Sequence, residues 1–249
     1  MTSPPTATGI HQRRLGTGKP PHILFIHALG GSSESFLPLV SFLKLDHTHT
    51  IHLLDLEGLG LSALPATPSP SHQPTLATFA KNVSAILGPL VEKGEEVSIV
   101  GETMGCLVAL TLLLSLPPSS RSSSGRTPIS TLLLLGPPAN PLPEVPRNAV
   151  LSRAKMVRER GMPAIVDSMV EMYMSRAARA TKPLAVAAVR LSLLGQDPEG
   201  YARASEALAG HAVPFDEEAM RGLIGRVVER VVVVCGDEDR VSPVVVGEG

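Results

Sequence analysis

The five residues Gly101-Glu102-Thr103-Met104-Gly105 constrain this chain more than any others. They stand between an apolar run, Val97-Ser98-Ile99-Val100, and a stretch of helical character that begins at Cys106. A strand that turns sharply into a helix needs small residues two places before and two places after the central one, because side chains there would collide. Both glycines are present. The central residue of such a turn is held at positive φ with its side chain raised above the sheet, and a β-branched residue in that state is strained. Threonine supplies a hydroxyl there, together with a γ-methyl group that the position disfavours.

At 249 residues and 43% hydrophobic content, the chain can bury the core of one large α/β domain with an inserted subdomain. A formal charge of −1 and the absence of a basic patch give no reason to expect nucleic acid or an anionic membrane as a partner. Pro4, Pro5 and Pro20 interrupt the N-terminal stretch, which resembles neither a secretory signal nor a transit helix. No apolar stretch approaches the ~20 residues that span a bilayer, so a soluble cytoplasmic protein is expected. Cys106 and Cys235 lack metal-ligand spacing and read as buried, reduced core thiols. Cys106 as a substitute nucleophile is discounted, because its place in the helix aims it away from a pocket. Neither a metal nor a cofactor is expected.

Apolar runs of strand length at residues 10–15, 22–27, 50–56, 96–101, 130–135 and 230–235 alternate with helical periodicity at 33–44, 76–93 and 104–116. That alternation predicts a mostly parallel sheet covered on both faces. Residues 65–74 and 117–128, rich in proline and serine, read as exposed loops. From about residue 141 to 214 the pattern becomes helical without strands, with helices expected at 147–160, 162–179, 183–194 and 198–209. Asp197 followed by Pro198 is a helix start. The expected organisation is a core of residues 1–140, a helical lid of 141–214 and a second core part of 215–249.

Four segments carry a family resemblance. These are His27-Ala28-Leu29-Gly30-Gly31-Ser32, the segment from Asp55 to Ser62, the Gly101–Gly105 turn, and Gly236-Asp237-Glu238-Asp239-Arg240-Val241-Ser242-Pro243. In order and spacing they resemble the α/β-hydrolase superfamily over nearly the whole chain, and Gln196-Asp197-Pro198-Glu199-Gly200-Tyr201-Ala202 resembles its 3-oxoadipate enol-lactonase branch. The resemblance implies that the turn is a nucleophile elbow with Thr103 as nucleophile. It makes Asp239 the acid that orients the catalytic base, and it gives the backbone N–H groups of Leu29 and Met104 to the oxyanion hole. His27 is expected to orient its loop and Asp55 to fix the turn after its strand, both without a catalytic role. Asp237 could exchange roles with Asp239, but the family frame favours the second.

The chain departs from the family pattern at Thr103, at Ala28 where the family usually has glycine, and after Asp239. The pattern continues there with a helix, a strand and a loop that delivers a histidine, whereas none of the eight histidines follows Asp239, so the final strand and histidine loop are expected to be missing. His211, at the end of the helical block, is the one candidate base that could swing toward Thr103. A valine-rich strand at 231–234 would then form a sheet edge able to pair with a second copy. The expected activity is feeble acyl-transfer chemistry on a small acyl, ester, lactone or β-dicarbonyl compound, as could serve an accessory step in a biosynthetic, secondary-metabolite pathway. The rival readings are a catalytically silent protein whose pocket binds a small molecule or a partner, and a truncated gene product.

Overall fold

A computed structural model of the chain describes residues 9–64, 73–116, 129–210, 212, 217–223, 226–239 and 242. Both proline- and serine-rich loops fall largely outside these residues, at 65–72 and 117–128, and so does His211. Six strands form one sheet: β1 (Gln12–Gly16), β2 (His22–Ile26), β3 (Thr50–Leu54), β4 (Val97–Glu102), β5 (Ile129–Leu135) and β6 (Val228–Val234), in the order β1-β3-β2-β4-β5-β6. β1 runs antiparallel to β3 and every other pairing is parallel, as the alternation of strands and helices implies.

The chain steps from β2 outward to β3 and then back across to β4, so the order reverses between β2 and β4. In an open parallel sheet the crevice at such a reversal, beyond the carboxyl ends of the strands, is where ligands bind. Residues 27–31 follow β2 and Thr103 follows β4, which puts both at that reversal.

The helices explain themselves by burial. α1 (Leu37–Leu43) continues a 3-10 turn at Ser33–Phe36 that Ser32 caps, so the single helix expected at 33–44 is two elements. α2 (Leu76–Glu92) is amphipathic and buries Leu76, Phe79, Val83, Leu87 and Leu90 against the core. α3 (Met104–Ser115) is apolar all round and correspondingly enclosed, with Met104 to Leu110, Leu112 and Leu113 all buried.

Between β5 and β6 stand α4 (Glu144–Arg160), α5 (Val166–Tyr173), α6 (Arg176–Thr181), α7 (Pro183–Leu194), α8 (Pro198–Ala209) and α9 (Glu217–Leu223). The helix expected over 162–179 is broken in three: a 3-10 turn at Met162–Ala164, then α5 and α6. Met174 is extended at the break, and Ser175 restarts the chain as a cap that accepts from Ala178 N–H at 3.1 Å. α4 and α8 are joined by Arg158, which donates to the carboxylates of both Glu199 and Glu206. No helix among the described residues is long and apolar enough to cross a membrane. β6 is last in the described order, and Val233 and Val234 keep 38% and 50% of their surface open.

One pH dependence follows from packing at the far end of the sheet. His22 Nδ1 and His52 Nε2 lie 3.0 Å apart. Burial, then the neighbouring His22 and Arg14, lowers the His52 pKa to about 4. The unfolded chain therefore binds a proton at His52 over pH 4–6.5 that the folded chain refuses, so stability rises with pH across that window and is flat above it. Urea unfolding is expected to show a loss of up to about 3 kcal/mol between pH 7 and pH 4, and His52→Gln should flatten that slope. An unchanged slope would place the acid sensitivity elsewhere.

Candidate active site

Thr103 occupies the turn between β4 and α3 at φ 44° and ψ −106°, one of two non-glycine residues at positive φ among the described residues. Such a backbone state costs on the order of 1–3 kcal/mol and persists only where the surroundings impose it. Here the Thr103 N–H donates to the Leu135 carbonyl at 2.9 Å and the Thr103 carbonyl accepts from Cys106 N–H at 2.9 Å. The flanking glycines are required by space. A Cβ on Gly101 would lie 2.7 Å from the Gly105 carbonyl oxygen, and one on Gly105 would lie 2.1 Å from the Ile26 carbonyl oxygen.

The loop after β2 faces this turn. His27 is fully buried; its Nδ1–H donates to the Ala28 carbonyl at 2.8 Å and its Nε2 accepts from Leu56 N–H at 2.9 Å. Both ring nitrogens are thus used by the neutral ring, and burial holds its pKa below the ordinary value, so His27 serves as a strut and not as a base. The Ala28 carbonyl also accepts from Gly31 N–H at 3.0 Å. The Ala28 carbonyl and the Leu29 N–H share one planar amide and point in opposite directions. Two bonds to that carbonyl therefore aim the Leu29 N–H. Neither this N–H nor that of Met104, the first in α3, has a hydrogen-bond partner among the described residues.

Asp55 fixes the next turn, as its residue type implies. One carboxylate oxygen accepts from Ser33 N–H at 2.5 Å and the other from Leu61 N–H at 2.8 Å. Glycine at position 60 is what lets the carboxylate in, since a Cβ there would lie 2.4 Å from it.

The helices between β5 and β6 grip the Leu29–Gly31 loop by its carbonyls. Tyr173 Oη donates to Leu29 at 3.4 Å, Ser192 Oγ to Gly30 at 2.9 Å, and Gln196 Nε2 lies 3.3 Å from the carbonyls of both Gly30 and Gly31. Gln196 Oε1 accepts from Gly60 N–H at 3.0 Å, so one buried amide ties α7, the loop after β2 and the turn after β3 together. Tyr201 and Leu193 close over Gly30, whose absent Cβ would lie 3.2 Å and 2.8 Å from them. α8 packs backbone to backbone: a Cβ on Gly200 would lie 1.8 Å from the Gly58 carbonyl oxygen. Gln196 and Tyr201 stand in the segment that resembles the enol-lactonase branch, but Tyr173 and Ser192 carry no local signal.

Asp239 lies just beyond β6, and one of its carboxylate oxygens accepts from Ser242 N–H at 2.9 Å. The carboxylate is thus engaged by a backbone donor. Ser242 Oγ donates to the Gly136 carbonyl at 2.6 Å. A Cβ on Gly136 would lie 3.3 Å from Asp239. Asp239 and Thr103 accordingly flank the end of β5, at Gly136 and Leu135, without a bond between them among the described residues.

Cys106 is buried; its thiol donates to the Gly101 carbonyl at 3.1 Å, and burial pushes its pKa up to about 12, which makes it inert. Cys235, expected to be buried, is half-buried at the end of β6. Glu102 sits beside Thr103 with its carboxyl pKa raised by burial, opposed by an interaction with the Ala28 backbone amide. Thr103 itself is half-buried. Two hollows of about 380 and 460 Å³, lined by residues such as Arg14 and His52 or Glu218 and Arg226, do not include Thr103 in their lining. Leu193 and Tyr201 pack down over the loop beside the turn and narrow the space there.

Comparison with curated proteins finds no match in sequence. Among solved structures, a thermophilic esterase from Thermogutta terrifontis superposes with a TM-score of 0.74 at 20% identity, over 96% of this chain and 79% of that one. The esterase EaEST from Exiguobacterium antarcticum gives 0.70 at 18%, over 96% and 81%, and the enol-lactonase from Burkholderia xenovorans LB400 gives 0.66 at 19%, over 94% and 90%. At these identities the likeness is one of fold. The sequence itself matches the model of the Alpha/beta hydrolase family over residues 23–248, and with the sheet order, the strained turn after β4 and the loop after β2 in place, the chain belongs to that family.

Proposed function

We propose that the chain hydrolyses a small ester or lactone by acyl transfer, with Thr103 as the accepting nucleophile. The observation that supports this reading best is Thr103 at φ 44° at the start of α3, next to the Met104 N–H and at the same sheet reversal as the loop that carries the Leu29 N–H. A hydroxyl held above the sheet next to two fixed donors is what addition to an acyl carbon requires. Esterases and an enol-lactonase among the similar folds keep esters and lactones as the substrate class.

In this scheme Thr103 Oγ adds to the carbonyl carbon as its proton passes to a base, and the Leu29 and Met104 N–H groups take the developing oxyanion. The alkoxide leaves with a proton, and water then releases the acid from the acyl-threonine. His211 is the candidate base and Asp239 the acid that would orient it. Residues 141–214 act as a lid whose donors hold the oxyanion loop, and an accessory biosynthetic step is a role in which slow turnover suffices.

Turnover is expected to be slow, because the γ-methyl of Thr103 leaves its hydroxyl few rotamers in a strained turn. The test is turnover of p-nitrophenyl esters by the protein and by Thr103→Ala. Weak hydrolysis lost on substitution supports the reading. Hydrolysis unchanged by it would remove Thr103 from the chemistry, and none above the uncatalysed rate in either protein would favour a silent relative that uses the site for binding.

A further inference from the structure

Three arginines of α4 turn toward the rest of the helical layer, and two of them are satisfied. Arg147 Nε donates to the Ala209 carbonyl at 2.9 Å, and Arg158 is held by Glu199 and Glu206. Arg153 is different. Its Nε is buried with no hydrogen-bond partner, and it enters no ion pair with a carboxylate among the described residues. A buried guanidinium N–H without an acceptor is costly, and an anionic oxygen is the group that removes the cost.

Two phenols stand by Arg153. Its side chain meets the hydroxyl of Tyr201, and it lies within electrostatic reach of Tyr173. Both tyrosines lead back to the site after β2: the Tyr201 ring carbon Cε2 is 3.2 Å from the Cβ position of Gly30, and Tyr173 Oη donates to the Leu29 carbonyl. The cation is thus one tyrosine's length from the loop that presents the Leu29 N–H. Glu102 makes no ion pair with it among the described residues, and its carboxyl engages the Ala28 amide instead.

We propose that Arg153, with the hydroxyls of Tyr173 and Tyr201, binds a carboxylate on the substrate, so that the substrate class is a small ester or lactone carrying a free carboxylate. A guanidinium fork matches a carboxylate in two hydrogen bonds, and each phenol can donate to a remaining lone pair by giving up the long bond it makes here, Tyr173 to the Leu29 carbonyl at 3.4 Å and Tyr201 to Met169 Sδ at 3.8 Å. The assignment rests on the acyl-transfer reading for the position of the ester, but the carboxylate site itself can be tested without turnover.

The chain has two tyrosines and no tryptophan, so tyrosine emission reports on this site alone. Glutarate is expected to change that emission saturably in the unmodified protein, with the response lost in Arg153→Met and partly kept in Arg153→Lys. For esters, the ratio of kcat/KM for the p-nitrophenyl half-ester of glutaric acid to that for p-nitrophenyl butyrate is expected to fall about tenfold or more in Arg153→Met. Thermal melting establishes that each variant is folded; if Arg153→Met is not, Arg153→Lys carries the comparison. Arg153-dependent glutarate binding without turnover of either ester would uphold the carboxylate site and sink the acyl-transfer reading. Turnover of both esters with an unchanged ratio, and no emission response to glutarate, would overturn the carboxylate site alone.

Discussion

Alanine at position 105 is expected to leave little folded protein. Its Cβ would stand 2.1 Å from the carbonyl oxygen of Ile26, 2.8 Å from the Ile26 carbonyl carbon and 3.0 Å from the carbonyl oxygen of His27. All three are backbone atoms, so either β2, an inner strand of the sheet, or the enclosed start of α3 must move. The expected loss exceeds about 4 kcal/mol, a large part of the 5–15 kcal/mol that holds a domain together. Gly88→Ala is the matched control. It lies in α2, its added methyl meets nothing within 4 Å, and alanine there should raise stability by about 0.5–1 kcal/mol. Soluble yield and thermal melting decide the matter. A Gly105→Ala protein melting with the unmodified one would show that the helix after β4 is not seated against β2 as described.

Position 103 is expected to respond in two directions. Serine keeps the hydroxyl and removes the γ-methyl from a residue at φ 44°, which relieves about 1 kcal/mol of strain and frees the oxygen to turn between an acyl carbon and a base. Turnover of activated esters by Thr103→Ser should rise about tenfold or more over the threonine protein. Thr103→Ala removes the nucleophile and should leave only the residual contribution of binding and the oxyanion donors. Steady-state kcat/KM for the three proteins gives the order serine, threonine, alanine. An order with alanine equal to threonine would remove the hydroxyl from the chemistry.

Much of this was legible in the sequence because it is local. The apolar runs identified all six strands to within two residues at each end, and Gly101 and Gly105 announced a turn that only glycines can flank. Asp55 was readable as a turn residue because carboxylates beside glycines accept backbone N–H groups. What was not legible depends on contacts between distant segments. Gln196 bonds carbonyls some 166 positions away, and nothing in its own neighbourhood says which loop it will reach. Arg153 looks like any helix-surface arginine until α8 brings Tyr201 against it. The break at Met174 was hidden because the apolar spacing of α5 runs on into α6, and only the cap at Ser175 marks the restart.

A nucleophile at position 103 must accept an acyl group. Incubation with p-nitrophenyl acetate, acid quenching and peptide mass mapping locates any acyl adduct. One acetyl group on the peptide that carries Thr103 is expected, stronger in Thr103→Ser as an ester on serine and gone in Thr103→Ala. Acetylation confined to lysines, or no adduct in either the threonine or the serine protein, would contradict a nucleophile at this turn.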